Sequence, residues 1–265
     1  MTDLLKEAVK KKQVILFAGA GVSAVLGAPT WGQLIDHIGE ELGFDTDVFR
    51  SLSTNYLTLA EYYKIERGSI GPLRSWMDKN WNFSADDIKK SRVHELIVEL
   101  DFPTIYTTNY DRNIEKALEI QGKKVRKIVD VKDFLFVEED ERQVIKLHGD
   151  FDNDDSIVLT ETHYFNRLSF ESPLDIRLRS DVLARPVLFV GYSLSDINVR
   201  MLLHKLWETW DSSPHRSQQP DSYVFLPQPN LIEEKVLAQW GVKTLVGDDP
   251  DPAKSLENFL YELTQ

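Results

Sequence analysis

Residues 14–24 read Val-Ile-Leu-Phe-Ala-Gly-Ala-Gly-Val-Ser-Ala, an apolar run that stops at a pair of glycines. A short apolar run without polar alternation predicts a strand covered on both faces. Gly19, Gly21 and Ala24 then fit the pattern G-x-G-x-x-G/A. The first Gly permits a tight turn, the second lets a pyrophosphate approach the backbone, and the small third residue lets the next segment pack closely. Backbone N–H groups at such a turn can also receive an anion. A Gly-rich strand–helix turn can equally be needed for packing alone, and no Gly-Lys-Ser/Thr follows, which argues against a phosphate-loop ATPase.

Outward from this stretch, similar runs recur at 104–108, 125–129, 144–148, 186–191, 222–227 and 242–246. Helical patterns separate them, so the chain is expected to form an α/β fold, a doubly wound, mainly parallel sheet of the Rossmann type. Residues 30–100 read as helix almost throughout, with stretches at 31–42, 58–68 and 87–100. One crossover needs far less, so this is expected to be an inserted helical subdomain. A second helical excursion spans about 160–184, and 211–221, rich in Ser, Pro and Gln, reads as a mobile loop. Residues 1–265 are thus taken as a single domain with two helical excursions that could cover a cleft.

Composition narrows the function. Lys plus Arg number 31 against 43 for Asp plus Glu, a formal charge of −12, which argues against broad nucleic-acid binding. With no cysteine, disulfides and thiolate metal sites are excluded. The first residues read as an amphipathic helix and no apolar run is long enough to span a bilayer, so a cytoplasmic location is expected.

Four strand ends carry chemistry-bearing residues: Gly19–Ser23, Thr107-Thr108-Asn109-Tyr110-Asp111, His148-Gly149-Asp150, and Gly191-Tyr192-Ser193. Each has a plain structural explanation. Asp111 can cap a helix, Asn109 can make a turn, His148 can be a packed core residue, and Ser193 with Asp196 can form a capping box. In an open parallel sheet, however, all four ends face the same side, where ligands bind. Coincidence of position favours one shared site.

At these clusters the sequence resembles the sirtuin-like family, in GAGVS, TTNYD, LHGD and VGYSLSD, over about residues 14–200. Together with GAPTW, they look most like the bacterial branch associated with anti-phage defence. The resemblance implies NAD⁺ as substrate. Gly19, Ala20, Gly21 and Ser23 would cradle the phosphates. Asn109 would position the nicotinamide ribose and a water, with Asp111 near the carboxamide. His148 would act as general base on the ribose hydroxyls, and Gly191 and Ser193 would contact the adenosine side. Two departures matter. The zinc ribbon of sirtuin deacylases needs four cysteines, absent here, and the six histidines show no ligand spacing, so no metal is expected. The family's Gly-Ile-Pro-Asp-Phe-Arg loop is here Gly27-Ala28-Pro29-Thr30-Trp31-Gly32, without the charged pair.

The expected activity is therefore hydrolysis of NAD⁺ to ADP-ribose and nicotinamide by a restrained defence effector. The alternatives are a non-catalytic sensor of NAD⁺ or an ADP-ribose derivative, and a protein deacylase or ADP-ribosyltransferase. Expected partners are further copies of the chain or a separate defence protein, such as an ATPase or a nucleic-acid-guided protein. Asp150, Asp152, Asp154, Ile157 and Glu161 match positions 1, 3, 5, 8 and 12 of a calcium loop. Asp155 replaces the required glycine, so a solvated acidic loop is expected instead.

Overall fold

In Ile15–Ala18 every side chain is fully buried, and alternate residues enter different cores. That is the burial of a strand sandwiched between helical layers. The computed structural model describes residues 2–167, 171–192 and 197–265. Its strands are β1 (Ile15–Ala18), β2 (Thr104–Thr107), β3 (Val125–Ile128), β4 (Arg142–Lys146), β5 (Val187–Val190), β6 (Ser222–Leu226) and β7 (Val242–Val246). They form one seven-stranded sheet in the order β3-β4-β2-β1-β5-β6-β7. All the apolar runs become strands, and every pairing is parallel, where the sequence suggested only a mainly parallel sheet.

The first helices are α1 (Thr2–Lys10), α2 (Ala20–Ala24), α3 (Trp31–Glu41), α4 (Thr46–Ser51) and α5 (Tyr56–Arg67). Next come α6 (Gly71–Trp81), α7 (Ala85–Lys90), α8 (Arg92–Leu100), α9 (Asn113–Ile120) and α10 (Glu161–Arg167). The last are α11 (Pro173–Ala184), α12 (Ile197–Asp211), α13 (Leu231–Gln239) and α14 (Pro252–Thr264). Leu16, Ala18, Ile105 and Val144 face a core shared with α1, α8, α9 and α14. Ile15, Phe17, Tyr106 and Ile145 face the opposite core, closed by α11, α12 and α13.

A third core lies among α3, α4, α5 and α6, where Leu34, Ile38, Phe49, Tyr63 and Met77 are buried together. Tyr110, Phe151, Ile157 and Leu159 join it from the segments that follow β2 and β4. The helical cap therefore sits on the carboxyl ends of those strands. Within the 30–100 stretch, α7 and α8 do not belong to this cap; Ile88, Val93 and Leu96 pack against the sheet.

The helix read over 87–100 is in fact two. Ser91 adopts extended backbone, closing α7 and opening α8. The second excursion also divides, into α10 and α11, with Ser172 accepting from Asp175 N–H and Pro173 opening the later helix. Both Pro at N1 and a Ser N-cap are helix-start signals. Residues 212–221 contain a 3-10 turn at Arg216–Gln218. Among the described residues no helix is long and apolar enough to cross a membrane.

Candidate functional site

The chain builds β2, β4 and β3 on one side of β1, then returns to place β5, β6 and β7 on the other. The seam between β1 and β5 is thus the topological switch point, where the connections diverge and leave a crevice. Two glycine turns meet there. Gly19 N–H donates to Val190 O at 2.9 Å and Gly21 N–H to Gly191 O at 2.8 Å. A Cβ on Gly21 would lie 2.7 Å from Gly191 Cα, and one on Gly191 would lie 2.6 Å from Val22 N. Gly191 also holds φ at +60°, a region costly for residues with a side chain. These glycines are required by backbone-to-backbone contact. Gly19 and Gly21 N–H groups are engaged by the protein itself, as is Val22 N–H on Gly19 O at 3.0 Å.

β2 delivers the next residues. Thr107 Oγ1 donates to Ala18 O at 2.8 Å and accepts from Asn109 N–H at 3.0 Å, which turns the chain back toward β1. Asn109 Nδ2 then donates to Gly19 O at 3.1 Å and Ser23 Oγ at 3.3 Å. A carbonyl oxygen can only accept, so Gly19 O decides which end of the amide is nitrogen. Ser23 Oγ donates its own hydrogen bond to Asp111 Oδ2 at 2.7 Å, and Asp111 Oδ1 accepts from Asn113 N–H at 3.0 Å. The relay is buried throughout. Burial pushes the Asp111 carboxyl upward, opposed by the nearby Lys146 cation and by the hydrogen bonds from Ser23 and Asn113. Asp111 is not the cap of α9, since Arg112 holds that position without a side-chain cap; from one residue earlier it accepts from Asn113 N–H and also anchors Ser23.

β4 delivers His148, which is 4% exposed and edge-on to Tyr164 with ring centroids 5.1 Å apart. Gly149 follows at φ +77°, where a Cβ would strike Ser156 O at 2.1 Å. One cavity of about 1260 Å³ gathers Ala20, Gly21, Ser23, Asn109, Asp111, His148 and Gly191 on its wall. Gly19 lies behind them, holding Asn109 through its carbonyl. Ser193 and Asp196, read from the sequence as a candidate capping box, lie outside the described residues.

The sequence does not single out the other lining residues one by one, although its two helical excursions are expected to cover a cleft. Trp81 comes from the end of α6, Tyr164 and Phe165 from α10, and Phe225 and Leu256 from the opposite end. The α10 helix is tied to α5: Asn55 Nδ2 donates to Glu161 Oε1 at 3.0 Å, Thr162 N–H to Glu61 Oε2 at 2.8 Å, and Lys64 Nζ lies 3.0 Å from His163 Nε2. Ala28, Pro29, Thr30 and Trp31 of the loop that departs from the sirtuin pattern also line the cavity. Thr30 and Gln33 form a capping box that starts α3. The acidic loop is paired with cations, Asp150 and Asp152 with Lys127, and Asp154 with Arg74 at 3.1 Å. Among the described residues no group of three or more His, Asp or Glu converges as a metal site.

A family of SIR2-like domains matches residues 103–245. The chain is 30% identical to "NAD(+) hydrolase ThsA" of Bacillus cereus (strain MSX-D12), over 92% of this chain and 52% of that protein. It is 26% identical to the protein of that name from Acinetobacter baumannii (strain 532279), over 100% of this chain and 56% of that one. With "Defense-associated sirtuin 2" of Bacillus subtilis it shares 26% identity, over 91% of this chain and 23% of that protein. The chain spans about half the length of the first two relatives. Among solved structures, a Sir2 homolog–NAD complex has the same fold, with a TM-score of 0.56 at 12% identity, covering 98% of this chain and 93% of that one. Because the family match extends over more than half of its residues, the chain belongs to the SIR2-like family.

Proposed function

We propose that this chain is a single NAD⁺-binding domain that hydrolyses the nicotinamide–ribose bond, as a regulated effector that depletes NAD⁺ in anti-phage defence. The reading rests on one observation: Asn109 and His148 line the same cavity as Gly21 and Gly191 at the switch point. The names of the relatives, NAD(+) hydrolase and defence-associated sirtuin, point the same way.

The pyridinium is a cationic leaving group, so the C1′–N bond breaks with its electron pair going to the nicotinamide nitrogen. The sugar passes through an oxocarbenium-like transition state. Water oxygen then bonds to C1′ and releases one proton, giving ADP-ribose and neutral nicotinamide. With its amide nitrogen held by Gly19 O and Ser23 Oγ, Asn109 has its carbonyl oxygen left to accept from the ribose or from water. His148 is the general base for the ribose hydroxyls, in the role histidine fills near neutral pH. Tyr110 and Tyr164 flank its ring, with centroids 6.5 and 5.1 Å away, and limit its contact with solvent. Ala20 and Gly21 face the phosphates. Ser23 and Asp111 act mainly through the buried relay, Gly191 forms the adenosine side, and Ser193 is assigned to that side by the family resemblance alone.

The test is release of nicotinamide from NAD⁺ by purified protein, alone and with the product of the neighbouring gene, since we place its control in self-assembly or a separate defence protein. Asn109→Ala and His148→Ala are each expected to lower the rate about 10²–10⁴-fold. Activity that survives both substitutions overturns the reading. Tight binding without turnover would instead assign a sensor, and nicotinamide release only with a peptide acceptor would assign a deacylase or transferase.

A further inference from the structure

Lys146, the last residue of β4, is fully buried, although its strand is otherwise apolar at this end. It stands in register with Thr107, where β2 ends and the turn carrying Asn109 begins. Its ammonium donates to Tyr110 O at 3.1 Å, to Asp111 O, and to Glu115 Oε1 at 3.2 Å. Lys146 is absent from the described residues that line the cavity. A charge held this deeply is costly, and an ion pair alone is a poor reason for it, because apolar replacement of a buried pair is often neutral or stabilising.

The two carbonyls supply the better reason. They belong to the consecutive peptide planes on either side of Asp111, so one cation fixes both and sets the backbone from which Asp111 reaches Ser23. Ser23 in turn accepts from the Asn109 amide. We infer that Lys146 is a positioning residue for the reaction: it acts through residues 108–112 to hold Asn109, and never touches the nucleotide. The catalytic part of this inference rests on the hydrolase reading above; the positioning part rests on geometry alone. Glu115 neutralises the ammonium and is 5% exposed.

The test compares Lys146→Met/Glu115→Gln, which removes both members of the ion pair and leaves the buried Asp111 carboxyl held by Ser23 and Asn113, with wild type, Asn109→Ala, and Lys146→Met/Glu115→Gln/Asn109→Ala. The first variant is expected to fold and to bind ADP-ribose within about threefold of wild type. Its kcat for nicotinamide release should fall about a hundredfold, the usual consequence of a misplaced group. The same pair of substitutions should cost less than about twofold further in the Asn109→Ala background, because both act through one amide. By hydrogen–deuterium exchange, amides in 108–112 should exchange faster while β1 and β5 stay unchanged. Retained kcat, multiplicative losses, or unchanged exchange in the turn overturns the proposal.

If that variant does not fold, Lys146→Arg keeps the charge but replaces a point donor by a planar fork. A folded Lys146→Arg is expected to lose about tenfold in kcat with unchanged ADP-ribose affinity, and full activity overturns the proposal. A wild type that releases no nicotinamide with or without its neighbour sinks the hydrolase reading. Exchange in 108–112 of whichever variant folds then decides the positioning role by itself, faster supporting it and unchanged refuting it.

Discussion

At Asn109 a single atom's identity matters. Its nitrogen faces two acceptors, Gly19 O and Ser23 Oγ. Asn109→Asp would set an oxygen against both and add a buried charge, with Asp111 already close by. We expect this near-isosteric change to abolish nicotinamide release and to cost about 2–4 kcal/mol of stability, read from denaturant unfolding. Gly191→Ala combines a positive φ with a contact to Val22 N. It should lower stability by about 2 kcal/mol or more. Because the damage is to the seam between the glycine turns, ADP-ribose affinity should fall too, and unchanged affinity by calorimetry would show that the turns tolerate separation. These residue-scale features were partly legible. The glycine spacing marked a tight turn, but nothing in the string says that Gly19 and Gly21 would direct their N–H groups at Val190 and Gly191. The anion donors foreseen from the motif are therefore fewer than the motif suggests, a consequence of the partner turn being remote in sequence.

On the scale of elements, α8 carries a pH dependence of its own. His94 is 1% exposed, its Nδ1 lies 2.8 Å from Ser91 Oγ, and burial lowers its pKa to about 4. The unfolded chain, with an ordinary histidine near pH 6.5, binds more protons than the folded one between those values. Stability from this group is therefore complete above about pH 6.5 and is lost as pH falls toward 4. The loss amounts to about 3 kcal/mol. Thermal unfolding of His94→Leu should show a flatter profile across that window, and an unaltered slope would refute the assignment. Strands were the most legible elements, since each apolar run had to be buried on both faces. Helix boundaries were less so. The single pattern at 87–100 conceals the break at Ser91, because the same side-chain periodicity continues across a residue that leaves helical geometry.

For the molecule as a whole, one carboxylate ties together several connections. Asp101 closes α8 at φ +56° and accepts Arg142 through two 2.8 Å bonds, Lys123 at 3.0 Å, and Lys12. Asn tolerates this backbone, so Asp101→Asn removes the charge alone. With the cations part-exposed, we expect a loss of about 1–3 kcal/mol, largely preserved at high salt because the carboxylate is buried. A midpoint unchanged in urea would contradict it. Such a node was not legible in sequence, since its members come from widely separated turns. The same holds for the cavity wall: Trp81 and Tyr164 reach it only because α6 and α10 close over the strand ends.

Tyr110 joins these scales. Its ring stacks on Trp81 at 5.8 Å with planes 8° apart, its hydroxyl donates to Val158 O at 2.7 Å, and it belongs to the core of the cap. In the chain it stands between Asn109 and Asp111. The cap is therefore keyed into the reactive turn like a tooth in a gear, and slippage of one against the other must either free the ring or drag the amide off its mark.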